Sequence, residues 1–151
     1  MVRLDIIHAS DPTDEQLSVF KSFASVSDES LDELLRSLLK TAMIEVGAWE
    51  DKSLLCTSLR LRVDRDRNDS AIRLYRGVSE IDSVKDAEGN PLSYTLDGEY
   101  LSVDGYEVVV EYTSCATPGE VARLMPKAMR YATALYDGED ATTLRNILTQ
   151  R

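Results

Sequence analysis

The sequence has few of the residues that catalytic and metal sites most often use. It contains one histidine, His8, and two cysteines, Cys56 and Cys115, which form no CxxC pair. Such a set cannot supply a zinc site without carboxylates, and no phosphate-binding, dinucleotide-binding, nucleophile-elbow or HExxH motif is present. The segment "DRDRND" has the alternating acids of a calcium loop but lacks its glycine and its distal glutamate. We therefore expect no cofactor, no metal, and two reduced, partly buried thiols.

Long apolar runs are also absent. No stretch of about 18 apolar residues exists, so we expect no membrane-spanning helix. The first residues, "MVRLDIIHASDPTDEQ", contain acids where a signal peptide would have its apolar segment, which argues against secretion by that route.

Negative charge is what the chain has in excess. Its formal net charge is −10, and residues 1–113 contain 23 acids against 12 bases, whereas residues 114–151 contain 4 acids against 5 bases. Because phosphate contacts need a concentrated basic surface, this composition argues against wrapping nucleic acid. It is compatible with a surface that DNA passes without binding, and also with acids that simply maintain solubility.

The order of the predicted elements is helices, then strands, then helices. This order indicates one α+β domain over residues 1–151, mainly helical, with the N-terminal and C-terminal helices packed together and an antiparallel strand insert. A short helix is predicted over 12–24, with Pro12 at its first position and a capping box of Thr13 and Gln16.

The clearest helical pattern spans residues 27–49. Ser27 is a suitable N-cap, and four acids in the first turns complement the helix dipole. Apolar residues then recur at helical spacing and predict a core-facing stripe, which could alternatively form a binding groove. These residues are Leu31, Leu34, Leu35, Leu38, Leu39, Ala42, Val46 and Trp49.

Antiparallel strands are predicted over residues 57–112. "SLRLRV" and "AIRLYR" alternate on either side of a polar turn, which predicts a hairpin with Arg60, Arg62 and Arg73 on its outer face. That face is either solvated or a contact surface for another subunit or a charged partner. The glycine-containing turns that follow, at Gly89, Gly98 and Gly105, predict a meander of short strands.

Closing helices are predicted over residues 118–150. Thr117, Pro118 and Glu120 match an N-cap, a first helical position and a capping-box acid. Pro126 costs about 3 kcal/mol inside a helix, so we expect a short turn over 118–124 and a main helix that begins near Pro126. Gly138 is predicted to end it, and "EDATTLRNILTQR" to add a last helix.

Cys115 precedes the predicted closing helix, where a helix N-terminus could lower the pKa of a nucleophilic thiol. No base is evident, however, and the surrounding residues already explain the segment as a helix start. The sequence therefore favours a structural protein over an enzyme, with a binding module or small enzyme that uses Cys115 as the alternative.

Four segments in this order resemble the head–tail connector (adaptor) proteins of tailed bacteriophages and prophages. They are "SDESLDELLRSLLKTAMIEVGAW", "GVSEIDSVKDAEGNPLSY", "YEVVVEYTS" and "PKAMRYATALYDGED". The chain departs from that pattern at Ser114 and Cys115, where glycine is usual, in "DGED", which replaces an arginine-rich ending, and in a longer N-terminal extension.

The resemblance implies a non-enzymatic subunit of the virion neck, assembled in the cytoplasm of a bacterial host. Such subunits form a ring of about a dozen copies beneath the portal protein, contact a tail-completion protein, and let DNA pass without specific binding. Another neck or tail-completion protein is the alternative of the same kind. Expected contact residues are Arg60, Arg62, Arg73, Arg145 and Arg151.

Overall fold

A computed structural model describes residues 1–67 and 70–150 of the chain. The strands are β1 (Val2–Ala9), β2 (Thr57–Asp64), β3 (Ile72–Arg73), β4 (Glu80–Asp86), β5 (Tyr94–Asp97), β6 (Tyr100–Val103) and β7 (Glu107–Ser114). The helices are α1 (Asp14–Phe23), α2 (Asp32–Glu50), α3 (Pro118–Tyr136) and α4 (Ala141–Thr149), and a 3-10 turn (Glu29–Leu31) precedes α2. The fold is mixed α+β as predicted, but its description as mainly helical is not confirmed, because these strands build two sheets.

The strands form two antiparallel sheets that share one hydrophobic core. One sheet has the order β1-β2-β7-β4 and the other has the order β3-β6-β5. Their inward side chains pack together as a small sandwich, with Leu59, Leu61, Val110 and Tyr112 of the first sheet and Leu101 of the second fully buried. This alternation of buried and exposed residues along each strand is the pattern read from "SLRLRV".

The predicted pairing of these strands was wrong in two places. β2 forms no hairpin with β3, because β2 lies between β1 and β7 while β3 pairs with β6 in the other sheet. The successive strands also do not form a meander: from β2 onward, and over the described residues, β5 and β6 are the only consecutive strands that pair with each other, and β4 pairs with β7. Burial selected these partners, because each choice places the apolar face of the strand inside the sandwich.

β1 was not predicted. Val2, Leu4 and Ile6 lie opposite Val63, Leu61 and Leu59 of β2, so the apolar side chains of both strands face the same side of the sheet. The alternation in "VRLDI" was the available signal.

The helices form a second, separate hydrophobic cluster. α2 packs along α3, and Leu35, Leu39 and Val46 of α2 are fully buried against residues such as Ala128 and Ala132 of α3. Most of the predicted stripe is therefore a core face, but Leu34 and Trp49 are exposed. α2 begins at Asp32, after the 3-10 turn capped by Asp28, rather than at Ser27.

Both predicted capping boxes are present. Thr13 accepts a hydrogen bond from the backbone N–H of Gln16, and Thr117 accepts one from the backbone N–H of Glu120, with the reciprocal bonds also formed. Pro12, however, precedes the N-cap of α1 instead of occupying its first helical position.

α3 continues through Pro126, contrary to the predicted break. Pro126 and Ala122 are both exposed, so water can reach the Ala122 carbonyl oxygen that would otherwise accept a bond from residue 126. The opposite face of the same helix buries Leu124, Ala128 and Ala132. Burial of that face offsets the local cost, which is of order 3 kcal/mol.

Candidate assembly surfaces

The chain passes between the helical cluster and the sandwich at two neighbouring points, and a disulfide joins them. In the register of β2 and β7, Thr57 lies opposite Ser114, so the residues just outside this pair, Cys56 and Cys115, are adjacent. They form a disulfide with a Cα–Cα distance of 4.3 Å. The expectation of two reduced thiols was therefore wrong, because the sheet register brings together residues that are distant in sequence.

The disulfide also changes the interpretation of Cys115. Its sulfur is bonded to Cys56, and its backbone N–H donates to the Ser79 hydroxyl at 3.0 Å. A sulfur atom in a disulfide has no free thiolate and does not act as a nucleophile. The alternative hypothesis of an enzyme that uses Cys115 has no support in this geometry.

Further bonds connect the two chain segments at this junction. The Ala116 N–H donates to the Ser53 carbonyl at 2.8 Å, and the Lys52 ammonium lies 2.8 Å from the Glu120 carboxylate. The hydrogen bond from Lys52, together with that from the Thr117 backbone, lowers the pKa of Glu120 to about 2.

A close backbone approach positions the same junction. The N–H of Lys52 returns to the carbonyl of Gly47 at 2.8 Å, and a Cβ at Gly47 would lie 2.5 Å from the Lys52 carbonyl oxygen. Only glycine fits there without a backbone shift.

Arg73 links the helices to the sandwich from the second sheet. Its guanidinium bonds the carboxylate of Asp51, lies 3.5 Å from Glu99, and stacks 5.0 Å from the centre of the Tyr75 ring. Asp51 also accepts a bond from the Arg76 backbone N–H at 2.9 Å. The pKa of Arg73 is raised, mainly by the charge of Asp51. These internal contacts occupy Arg73.

Arg60 and Arg62 lie on the outer face of the first sheet, as the alternation of β2 predicted. Arg60 forms an ion pair with Glu111 of β7 at 3.0 Å. The Arg62 side chain is exposed, and among residues 1–67 and 70–150 no hydrogen bond or ion pair engages its guanidinium. Its neighbour on β1 is Arg3, which pairs with Asp5. Arg62 is thus the more available of the two for a partner.

The C-terminal cations are dispersed. Arg145 is exposed on α4, and Arg151 lies outside the described residues. A groove of about 500 Å³ along α3, bounded by the end of α2 and by Gln150 after α4, adds a basic row that was not predicted, formed by Arg123, Lys127 and Arg130. Lys127 is buried and bonds Glu50 at 2.7 Å, so this lysine stabilises the helical packing. The role of the five predicted arginines as contacts stays a prediction.

Within 1–67 and 70–150, no three histidine, cysteine or acidic side chains are grouped so that they could hold a metal ion. Over the same residues, no helix is long and apolar enough to span a bilayer. What the surface offers is charged faces and strand edges.

Several solved chains share this fold. A chain in the neck of an empty GTA particle, computed with C6 symmetry, superposes with a TM-score of 0.66 at 17% identity, covering 89% of this chain and 84% of that one. A chain from the virion of the native gene transfer agent (GTA) particle gives 0.64 at 19% identity, with coverages of 89% and 84%. A chain in the neck of the native GTA particle, computed with C12 symmetry, gives 0.56 at 15% identity, with coverages of 94% and 93%.

No protein-family model matches the sequence, and no curated protein matches it. Identities of 17%, 19% and 15% show a common fold, and function has to be argued from surfaces and partners. The α+β chain described here thus has the fold of chains found in gene transfer agent particles.

Proposed function

We propose that this protein is a head–tail connector (adaptor) subunit of a phage or prophage virion. The observation that supports this most directly is the fold shared with a chain in the neck of a GTA particle over 89% of the present chain. The four sequence segments that resemble phage connectors support the same function independently of that superposition.

The subunit acts, in this proposal, as one member of a homo-oligomeric ring of about a dozen copies beneath the portal protein. Two of the particle structures that contain this fold were computed with C6 and C12 symmetry. The proposed partners are the portal protein above the ring and a tail-completion protein below it. The ring would join capsid to tail in the virion neck after assembly in the cytoplasm of the bacterial host.

The charge of the chain supports a passive role toward DNA. With a formal net charge of −10, a ring of such subunits repels the phosphate backbone instead of binding it. A channel lined by acids would let the packaged genome slide through, and we therefore propose no specific DNA contact.

The proposed role is structural, and it requires no reaction. Cys115 is bonded to Cys56, and the arginines that first suggested a charged face are partly committed to internal ion pairs such as Arg60 with Glu111. Chains with this fold are found in the neck and in the virion of gene transfer agent particles, which supports a structural role.

Co-expression with the portal protein of the same gene cluster tests the proposal. We expect the two proteins to co-purify and to form a ring on the portal that is visible by electron microscopy. A chain that neither binds the portal nor associates with itself at high concentration would contradict the proposed function.

A second arm separates a connector from another neck or tail-completion protein. A connector binds the portal when no tail protein is present, whereas a tail-completion protein requires the connector first. Portal and capsid genes beside this gene would support either phage function, and a metabolic operon would contradict both.

A further inference from the structure

β1 is an edge strand whose outer side is open. The N-terminal ammonium of Met1 donates to the Asp64 carbonyl, and the Asp64 N–H donates to the Met1 carbonyl at 2.8 Å, which fixes the pairing of β1 with β2. Because inward and outward backbone groups alternate along an antiparallel strand, those of Val2, Leu4 and Ile6 point away from β2. Within 1–67 and 70–150, no strand pairs with that side.

Two apolar side chains on the inner face of β1, those of Val2 and Ile6, are not covered by the sandwich, whereas Leu4 packs against its core. Val2, Leu4 and Ile6 share a face with the buried residues of β2, but the second sheet does not cover them fully. Ile6 remains 42% exposed and Val2 is also exposed. An open strand edge with exposed apolar side chains can pair with a strand of another molecule.

β5 is the open edge of the other sheet. All four of its residues, Tyr94–Asp97, are exposed. Tyr94 and Leu96 lie opposite the buried residues Val103 and Leu101 of β6, so they point to the interior side, yet Leu96 is 41% exposed. β5 therefore resembles β1, because both strands have an open edge and apolar side chains that the sandwich does not cover.

The two edges lie at opposite ends of the sandwich. β1 and β4 are the two ends of the first sheet. The chain leaves β4 through a tight turn, pairs Pro91 back against Lys85, and enters β5 at once. β5 therefore lies at the β4 end, away from β1. Surfaces at opposite ends suit head-to-tail contacts, which close into rings.

The edge of β4 is less suitable than that of β5, because the chain covers it. The Leu92 N–H donates to the Val84 carbonyl at 2.9 Å, and the Asp86 N–H donates to the Asn90 carbonyl at 3.0 Å. The same turn that protects β4 leaves β5 uncovered.

The charges at the two ends are complementary. β1 and β2 together contain three arginines against two aspartates; Arg3 pairs with Asp5 and Arg60 pairs with Glu111, so Arg62 is the arginine of this end that has no side-chain partner among the described residues. Residues 80–97, which span β4 and β5, contain five acids against one lysine, Lys85. In a chain of net charge −10, the more basic β1 end is where an acidic end of another copy can approach with the least repulsion. Two β1 ends facing each other would instead oppose their arginines.

From these observations we propose that β1 of one copy pairs edge to edge with β5 of the next copy, head to tail. The pairing would complete the backbone bonds of both edges and bury Ile6 and Leu96 in one seam. This inference rests on the proposed function for its ring closure, but the pairing itself is testable on the isolated chain.

Two lysine substitutions test the pairing. Ile6→Lys blocks the β1 edge and Leu96→Lys blocks the β5 edge, and both residues are exposed enough for the fold to tolerate the change. Val19→Lys on α1, where Val19 is 51% exposed, is the control with the same change of charge. Sedimentation velocity at rising concentration measures self-association.

We expect each edge variant to associate about tenfold or more weakly than the wild type, because a lysine in an apolar seam is desolvated. The Val19→Lys variant should associate like the wild type. An equimolar mixture of the two edge variants should form a heterodimer and nothing larger, since one intact β1 edge and one intact β5 edge remain.

Each other outcome decides a separate point. Loss of association in Ile6→Lys but not in Leu96→Lys would overturn the β1–β5 pairing in favour of a symmetric contact between two β1 strands. Normal ring formation on the portal by both variants would overturn the pairing and leave the proposed function intact. Association through these edges without portal binding would support the pairing and overturn the proposed function. A wild-type chain that assembles neither alone nor on the portal would overturn the pairing and the proposed function together.

Discussion

Removing the Cys56–Cys115 disulfide should destabilise the chain while leaving its folded structure unchanged. The perturbation is the double variant Cys56→Ser/Cys115→Ser. The disulfide joins residues 59 positions apart, so it closes a long loop in the unfolded chain. In the chain-entropy estimate, a loop of that length contributes about 4 kcal/mol to the free energy of unfolding. For a chain of this size that corresponds to a fall in Tm of about 8–16 °C.

Urea unfolding followed by circular dichroism at neutral pH is the appropriate assay. The midpoint of the double variant should fall to that of the wild type measured in reductant. Its m-value should rise slightly, because the unfolded chain without the link exposes more surface. Near-ultraviolet spectra of the folded states should coincide, since the effect arises in the unfolded ensemble.

The controls make this reasoning refutable. Reductant should lower the midpoint of the wild type but leave that of the double variant unchanged, and thiol titration of the unreduced wild type should detect no free cysteine. If reductant left the wild-type midpoint where it was, the entropic account of this link would be wrong.

Three further predictions follow from single contacts. Glu120→Gln keeps the capping box but loses the charge. Because folding lowers the pKa of Glu120 from 4.5 to about 2, wild-type stability should exceed that of the variant above pH 4.5. In a series of urea titrations the difference should shrink below pH 4.5 and disappear as the pH falls through about 2. Tyr112→Phe should cost about 1–2 kcal/mol in chemical denaturation, because the buried hydroxyl donates to the Tyr75 carbonyl at 2.8 Å, whereas Tyr106→Phe at an exposed site should be neutral. Pro126→Ala should raise the free energy of unfolding by about 1–2 kcal/mol, since it restores a helical hydrogen bond at an exposed position; a loss of stability in the same denaturation experiment would show that the proline is needed.

Local patterns in the sequence predicted local structure well. The capping boxes at Thr13 and Thr117 depend on residues three apart, and both are formed. The core face of α2 follows from helical spacing alone, although spacing could not show that Leu34 and Trp49 fall outside the contact with α3. The α+β class followed from the order of the elements.

Features that depend on distant contacts could not be read in the same way. The break expected at Pro126 was wrong because burial of the opposite helix face outweighs one missing hydrogen bond. The hairpin of β2 with β3 was wrong because each strand found a better-matched apolar face elsewhere. The disulfide depends on the register of β2 and β7, which no short segment specifies.

For the candidate contact residues, too, local features were predictable from the sequence and features that depend on distant contacts were not. Their outward direction on β2 was predictable from alternation, but the commitment of Arg60 to Glu111 and of Arg73 to Asp51 was not. The open edges of β1 and β5 could be recognised only after the sheet order was known.

The separation of the two hydrophobic clusters has a consequence for how the chain is made. The helical cluster combines α1 and α2, which precede the sandwich strands β2 to β7, with α3 and α4, which follow them. During synthesis α2 therefore emerges long before the helix that covers it, while β1 also waits for β2. We expect the sandwich to fold first on the ribosome, and the apolar face of α2 to be a surface for chaperones until α3 is complete.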